Sequence, residues 1–243
     1  MRRWSDLTRE EIAEIAPRAV VVVPVASTEQ HGPHLATTTD TAILDAILDL
    51  AGSRIAESTV MLRAPTLCYG TSEHHLPFGG TLSLSPSTFN AVLRDILRSL
   101  VFAHCSRILI VNGHGGNDSI ARSASAEMAT THGVVVAMAS YWHLVDPPLA
   151  FSFPGHAGEA ETSMMLAIDA TLVRMNRARP SPGTLPSPIR GVQLECPDLW
   201  HRIDGFTDNP ERAKAETGRL LLDRCADATA AAIDALAARE ETP

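Results

Sequence analysis

Between Ser27 and Asp40 the chain places Glu29, His31 and Asp40, two carboxylates and an imidazole within 12 residues. That donor mix suits Zn²⁺, Mn²⁺ or Fe²⁺. Glu29 and His31 are two apart, so in an extended segment they point the same way. Gly32-Pro33 turns the chain and can bring Asp40 back toward them. The bland alternative makes Asp40 a helix N-cap and His31 an ordinary loop histidine. A second cluster reads Asn112-Gly113-His114-Gly115-Gly116-Asn117. Its glycines let the backbone lie close to a ligand, with His114 facing whatever the turn surrounds. A phosphate-binding loop is the competing account, because a helix start follows. The loop lacks a lysine, and its glycine spacing fits neither nucleotide-binding pattern, which favours a metal.

Two further clusters carry titratable groups. His156 precedes a helix start with Glu159 and Glu161 in its first turn. Acids there also suit the helix dipole, so Glu161 matters chemically only if it points inward. His156 is a candidate acid/base because imidazole titrates near working pH. The stretch Tyr69–Thr81 holds the pair His74-His75, and His75 is a candidate for the substrate pocket. Adjacent residues usually face opposite ways, so at most one of the two is expected to point in. Ser72 lacks the G-x-S-x-G surroundings of a hydrolase nucleophile.

The elements that must position these residues are short β-branched runs alternating with helical patterns. Ala19–Ala26, Val60–Leu67, Arg107–Val111 and Val134–Ala139 read as buried parallel strands. Helices are expected over Thr41–Ala56, Pro86–Ala103 (capped by Ser85 or Ser87), Asp118–His132, Glu159–Ala170 and Pro210–Arg239. The alternation predicts an α/β fold, a three-layer α/β/α sandwich on a mostly parallel sheet, with residues 1–243 forming one domain. Pro180–Pro188 reads as a loop within it. Every polar cluster that follows one of these strands lies just past its C-terminal end, the edge where open parallel sheets bind ligands.

Bulk properties narrow the partners. At 243 residues and 45% apolar content the chain can bury a sizeable core. A net charge of −8 argues against nucleic acid as the main partner. The four cysteines, Cys68, Cys105, Cys196 and Cys225, form no C-x-x-C and fit a reducing compartment. The charged N-terminus is unlike a signal peptide, and Ala19–Ala26 is far shorter than the roughly 20 residues of a membrane helix. A cytoplasmic protein without a membrane partner is expected.

Taken together, Glu29-Gln30-His31-Gly32-Pro33-His34 with Asp40, Asn112–Asn117, and His156-Ala157-Gly158 with Glu161-Thr162-Ser163 resemble the creatininase family, from about residue 5 to about residue 170. The resemblance implies an α/β/α fold and two divalent metal ions, zinc or manganese, with iron in some members. It implies hydrolysis of a C–N bond in a small cyclic or linear amide by a metal-activated water, and a homo-oligomer, often a hexamer. Glu29, His31, Asp40 and His114 fall on family metal positions, Asp40 as the bridge, and His156 on the catalytic histidine. The family glutamate two residues after the motif histidine is Gly116 here, so Glu161 becomes the candidate replacement ligand. The glutamate before the catalytic histidine is Gly155. Trp142 corresponds to a substrate-stacking tryptophan, and Gly115 and Gly116 offer backbone N–H groups to an oxyanion. Alternatives are hydrolysis of a lactone, ester or cyclic ketone, peptide trimming, or a non-catalytic metal-binding scaffold.

Overall fold

The computed structural model describes residues 1–145, 153–184, 186, 189, 196 and 198–239. Five parallel strands form one sheet: β1 (Arg2–Arg3), β2 (Val20–Val25), β3 (Met61–Arg63), β4 (Arg107–Asn112) and β5 (Val135–Ser140), in the order β1-β3-β2-β4-β5. Among the described residues seven α-helices surround it: α1 (Arg9–Ile15), α2 (Thr39–Gly52), α3 (Pro86–Phe102), α4 (Asp118–His132), α5 (Glu159–Asp169), α6 (Leu199–Arg202) and α7 (Ala215–Ala237).

Alternation along the strands sorts the helices into two outer layers. Val20 and Val22 of β2 and Leu109 and Val111 of β4 pack with α2, α5 and α7. Val21, Val23 and Val25, with Ile108 and Ile110, pack with α1, α3 and α4. The three-layer sandwich expected from the sequence is therefore observed, with all its strand pairs parallel. Pro24, which has no N–H to donate, fits inside β2 because the regular ladder with β3 has ended before it. The register with β3 ends at Val22↔Arg63, and the Pro24 carbonyl accepts from Leu67 N beyond it.

The connection after β2 runs over one face through α2, whereas those after β3 and β4 run over the other through α3 and α4. The chain leaving β2 and the chain leaving its neighbour β4 thus part to opposite faces. That is a topological switch point, and the crevice it opens lies at the strands' C-terminal edge.

Several boundaries differ from expectation. β3 is shorter than Val60–Leu67 because Pro65 ends the ladder. α2 begins two residues earlier than Thr41 and ends at Gly52. Pro210–Arg212 is a separate 3₁₀ turn before α7. α3 is capped by Ser85, whose hydroxyl accepts from Thr88 N at 3.3 Å. Part of Pro180–Pro188 lies outside the described residues. No described helix is long and apolar enough to cross a membrane.

Candidate metal centre

The loop leaving β2 folds back at Gly32, whose φ of +64° a side-chain-bearing residue rarely adopts. This turn carries His31 to Asp40: Nε2 lies 3.0 Å from Oδ1. Asp40 sits in the first turn of α2, and the N-cap position belongs to Thr38. Its other oxygen faces His114, with Nδ1 3.2 Å from Oδ2, so one carboxylate reaches both imidazoles. His114 Nδ1 also lies 3.3 Å from Glu29 Oε1. From α5, Glu161 Oε2 lies 3.7 Å from His31 Nε2. Glu161 is buried and points inward, where Oε2 accepts from Ala157 N at 2.6 Å. Glu159 is only half-buried, and its N–H is held by Asp208.

Three imidazoles each have one ring nitrogen against a main-chain carbonyl, which can only accept. His31 Nδ1 donates to Glu29 O at 3.2 Å, His114 Nε2 to Thr71 O at 2.9 Å, and His156 Nε2 to Gln30 O at 3.0 Å. Each ring is thereby fixed with its other nitrogen toward the carboxylates. Such carbonyl partners typically orient histidines that bind metal. His156 Nδ1 ends 3.5 Å from Glu29 Oε1.

A cation fits this arrangement. Both oxygens of Glu29, Asp40 Oδ2 and His31 Nε2 are buried and face only one another and the neighbouring imidazoles, with no hydrogen-bond partner outside the cluster. Buried polar atoms are rarely left so. Their ligand atoms group as Glu29/His31/His156, His31/Asp40/Glu161 and Glu29/His74/His114, each within 4.8 Å. Protons respond to the same field. Burial opposes charge on His31, but Asp40, Glu161 and Glu29 outweigh it and lift its pKa to about 10. His114 likewise rises despite burial, through Glu29 and Asp40. Burial would raise Glu29, yet His114, His156 and His75 hold it well below the usual carboxylate range. Burial pushes Glu161 up to about 8 against the pull of His31. Burial and the neighbouring His31 and His75 keep His156 neutral, its pKa well below 6.5.

The two asparagines of the glycine-rich motif explain the convergence. Asn112 donates to His114 O at 2.7 Å and to Ser140 Oγ at 3.0 Å, and accepts from His114 N. Asn117 accepts from Thr71 N at 3.0 Å and donates to Ala26 O at 3.1 Å. Together they tie the segments after β2, β3 and β4 and the last residue of β5 to one another. Gly116 leaves room for this. A Cβ there would stand 2.1 Å from Thr71 O and 2.6 Å from His114 Nε2, on the bond that orients the ring. We expect Gly116→Ala to weaken metal binding by roughly 10- to 100-fold, the usual effect of losing such support. Equilibrium dialysis would measure it, and an unchanged affinity would mean the ring does not depend on Thr71.

The remaining expected residues divide. His75 is buried and its Nε2 lies 3.7 Å from Glu29 Oε1. His74 stacks over His114 at 6.1 Å. Both histidines of the pair therefore turn toward the cluster, contrary to the expected single one, because they lie on a 3₁₀ turn (Glu73–Phe78) and not on an extended strand. Gly115 is open, with nothing near its Cα side. Trp142 packs on Tyr141 and His143. Trp200 of α6 is the tryptophan whose described contacts reach them, at 4.5 Å from His75 and 5.3 Å from His156. Its position some 40 residues beyond His156, on a four-residue helix, left no mark in the motifs.

Known proteins share this frame. The chain is 33% identical over 221 residues to a mycofactocin precursor peptide peptidase of Mycobacterium tuberculosis, covering 85% of this chain and 81% of that one. It is 29% identical over 252 residues to a creatinine amidohydrolase of Pseudomonas putida, covering 92% and 90%. A creatininase variant of Zn–Zn type superposes with a TM-score of 0.80 at 25% identity, covering 98% of each chain. A manganese creatininase gives 0.77 at 26%, covering 98% and 99%. The buried donor set fits two divalent ions, zinc or manganese, as in those neighbours. The family model described as creatinine amidohydrolase matches residues 5–233, and the chain belongs to the creatininase family of hydrolases.

Proposed function

We propose that this protein hydrolyses the C–N bond of an amide, in a small cyclic or linear molecule, with Glu29, His31, Asp40, His114 and Glu161 holding two divalent ions. The carrying observation is the buried carboxylate and imidazole atoms that face only one another at the switch point. Asp40 is suited to bridge, since its two oxygens face different imidazoles. When bound, the metal pair supplies an acidified water and a Lewis acid for the carbonyl oxygen.

The chain's own groups do the rest. His156 Nδ1, bare because Nε2 is tied to Gln30 O, takes a proton from the attacking water and returns it to the leaving nitrogen. His75 Nε2–H and the N–H groups of Gly115 and Gly116 are donors for charge developing on the substrate. Trp200 walls the histidine cluster and excludes water from it. A homo-oligomer acting on a small molecule in the cytoplasm accords with this reading.

A second reading is cleavage of a peptide bond, favoured by the 33% identity to a precursor peptide peptidase against 29% to a creatinine amidohydrolase. The bond chemistry is the same, and the substrate differs. Protein loaded with zinc or manganese should be assayed against creatinine, other cyclic and linear amides, short peptides and matched esters. Turnover of an amide that requires metal is expected, and His156→Gln should lower its kcat by about 10²- to 10⁴-fold with metal content unchanged. Peptide-only turnover would move the proposal to the second reading. Turnover of esters alone, or none with both metals bound, would end it.

A further inference from the structure

We propose that Gln30, between two of the metal-binding positions, is a positioning residue that sets where the protons sit on His75 and His156. The inference rests on the proposed acid/base role of His156 for its catalytic meaning, though not for its geometry.

The Gln30 amide can be placed only one way round. Its Oε1 accepts from Gly32 N at 2.9 Å, and its Nε2 donates to Gly205 O at 2.7 Å. Exchanging the two atoms would set a carbonyl against a carbonyl and an N–H against an N–H. The second amide hydrogen then faces His75 Nδ1 at 2.8 Å. His75 Nδ1 must accept, so its proton is on Nε2, the atom turned to Glu29 Oε1 at 3.7 Å. The same residue's main-chain carbonyl takes the Nε2–H of His156 at 3.0 Å, which leaves His156 Nδ1 bare, 3.5 Å from the same Glu29 oxygen. The 3.2 Å approach of Gln30 Nε2 to His156 Nε2 is two donors side by side, because both amide hydrogens are already committed.

The surroundings fit this task. Gln30 is buried, and its own N–H is anchored on Thr81 Oγ1 at 3.0 Å. Gly205 has a φ of +74°, and a Cβ there would lie 3.0 Å from both Gln30 amide atoms. The chain thus turns at a glycine where the amide needs space. The two rings stack at 4.2 Å with a 16° tilt, so they share one side of the cluster. One presents an N–H and the other a lone pair to the same place. A water or amide held there meets a donor and an acceptor at once, which is what proton transfer to a leaving nitrogen requires.

Histidine-selective ¹⁵N labelling of the zinc-loaded protein tests this, with His75 and His156 assigned by single substitution. Long-range ¹H–¹⁵N correlation distinguishes protonated from bare ring nitrogens. Both rings are expected to carry the proton on Nε2. In Gln30→Glu the donor becomes an acceptor, and the His75 proton should move to Nδ1 while His156 keeps its tautomer, whose partner is a main-chain carbonyl. In Gln30→Met, His75 should lose its single tautomer. A wild-type His75 protonated at Nδ1, or a His75 signal unchanged in both variants, overturns the proposal. The wild-type spectrum decides even if a variant does not fold. It also stands apart from any assay, so failure to hydrolyse amides would strike the functional reading without touching the tautomers.

Discussion

Asp40→Ala should strip the protein of both metal ions and lower its hydrolytic rate by roughly 10³-fold or more, equivalent to about 4 kcal/mol of transition-state stabilisation. Asp40 is singled out because its oxygens lie 3.0 Å from His31 and 3.2 Å from His114, so one substitution takes a donor from both halves of the cluster. The carboxylate caps nothing, since the α2 N-cap is Thr38, and removing it leaves the helix start intact. The metal-free variant is therefore expected to fold. Loss of the metals is read directly from the metal content of the purified protein and from melting curves. Zinc at 100 times its dissociation constant should stabilise the wild type by about 2.7 kcal/mol and the variant by nothing. A variant that still binds two equivalents of zinc and turns over substrate would remove Asp40 from the centre.

The reasons Asp40 could be named from sequence are also the reasons other residues could not. Glu29 and His31 lie in the loop after one strand, Asp40 in the first turn of the helix that follows it, and His114 in the loop after another strand. Strand runs are legible because β-branched residues cluster, and ligand-bearing loops fall at their C-terminal ends. His31 and Asp40 were open to a bland reading because a helix start attracts aspartate whatever its role. In the fold the cap is Thr38, which closes that option. The first strand, Arg2–Arg3, was not legible, since two polar residues carry no period. α1 did leave a signal in Thr8 and Glu11, which form a reciprocal capping box. Gln30 and Trp200 are of another kind. The amide of Gln30 acquires its meaning from Gly205 and His75, and Trp200 meets rings contributed by two distant segments. Nothing local in the chain encodes such meetings. Glu161 lies between, because its type and helix position were visible but its inward direction was not.

Metal uptake should release protons and strengthen steeply with pH. His31, lifted to about 10, carries a proton at neutral pH in the metal-free protein, and its Nε2 faces Asp40 and Glu161, where a cation would bind. His114 is raised as well, and Glu161, at about 8, is largely protonated at pH 7. Ligation needs the bare nitrogen or oxygen in each case. Filling the centre at pH 7 should thus displace protons from His31, His114 and Glu161. Glu29 contributes none, because its neighbours already hold it ionised. Apparent affinity should rise roughly tenfold per pH unit for each proton displaced. The stability of the metal-free protein moves the opposite way. An imidazole whose pKa is higher in the fold than in the unfolded chain stabilises fully below about 6.5, and that stabilisation drains away as pH climbs through the folded value near 10 for His31. Metal-free protein should therefore melt at progressively lower temperature from pH 7 to 10, and zinc should abolish that decline. Calorimetric titration with zinc in two buffers of different ionisation enthalpy counts the protons. A heat independent of buffer, with an affinity flat from pH 6 to 9, would show that the imidazoles are bare before metal arrives and that the carboxylates around them do not govern the centre.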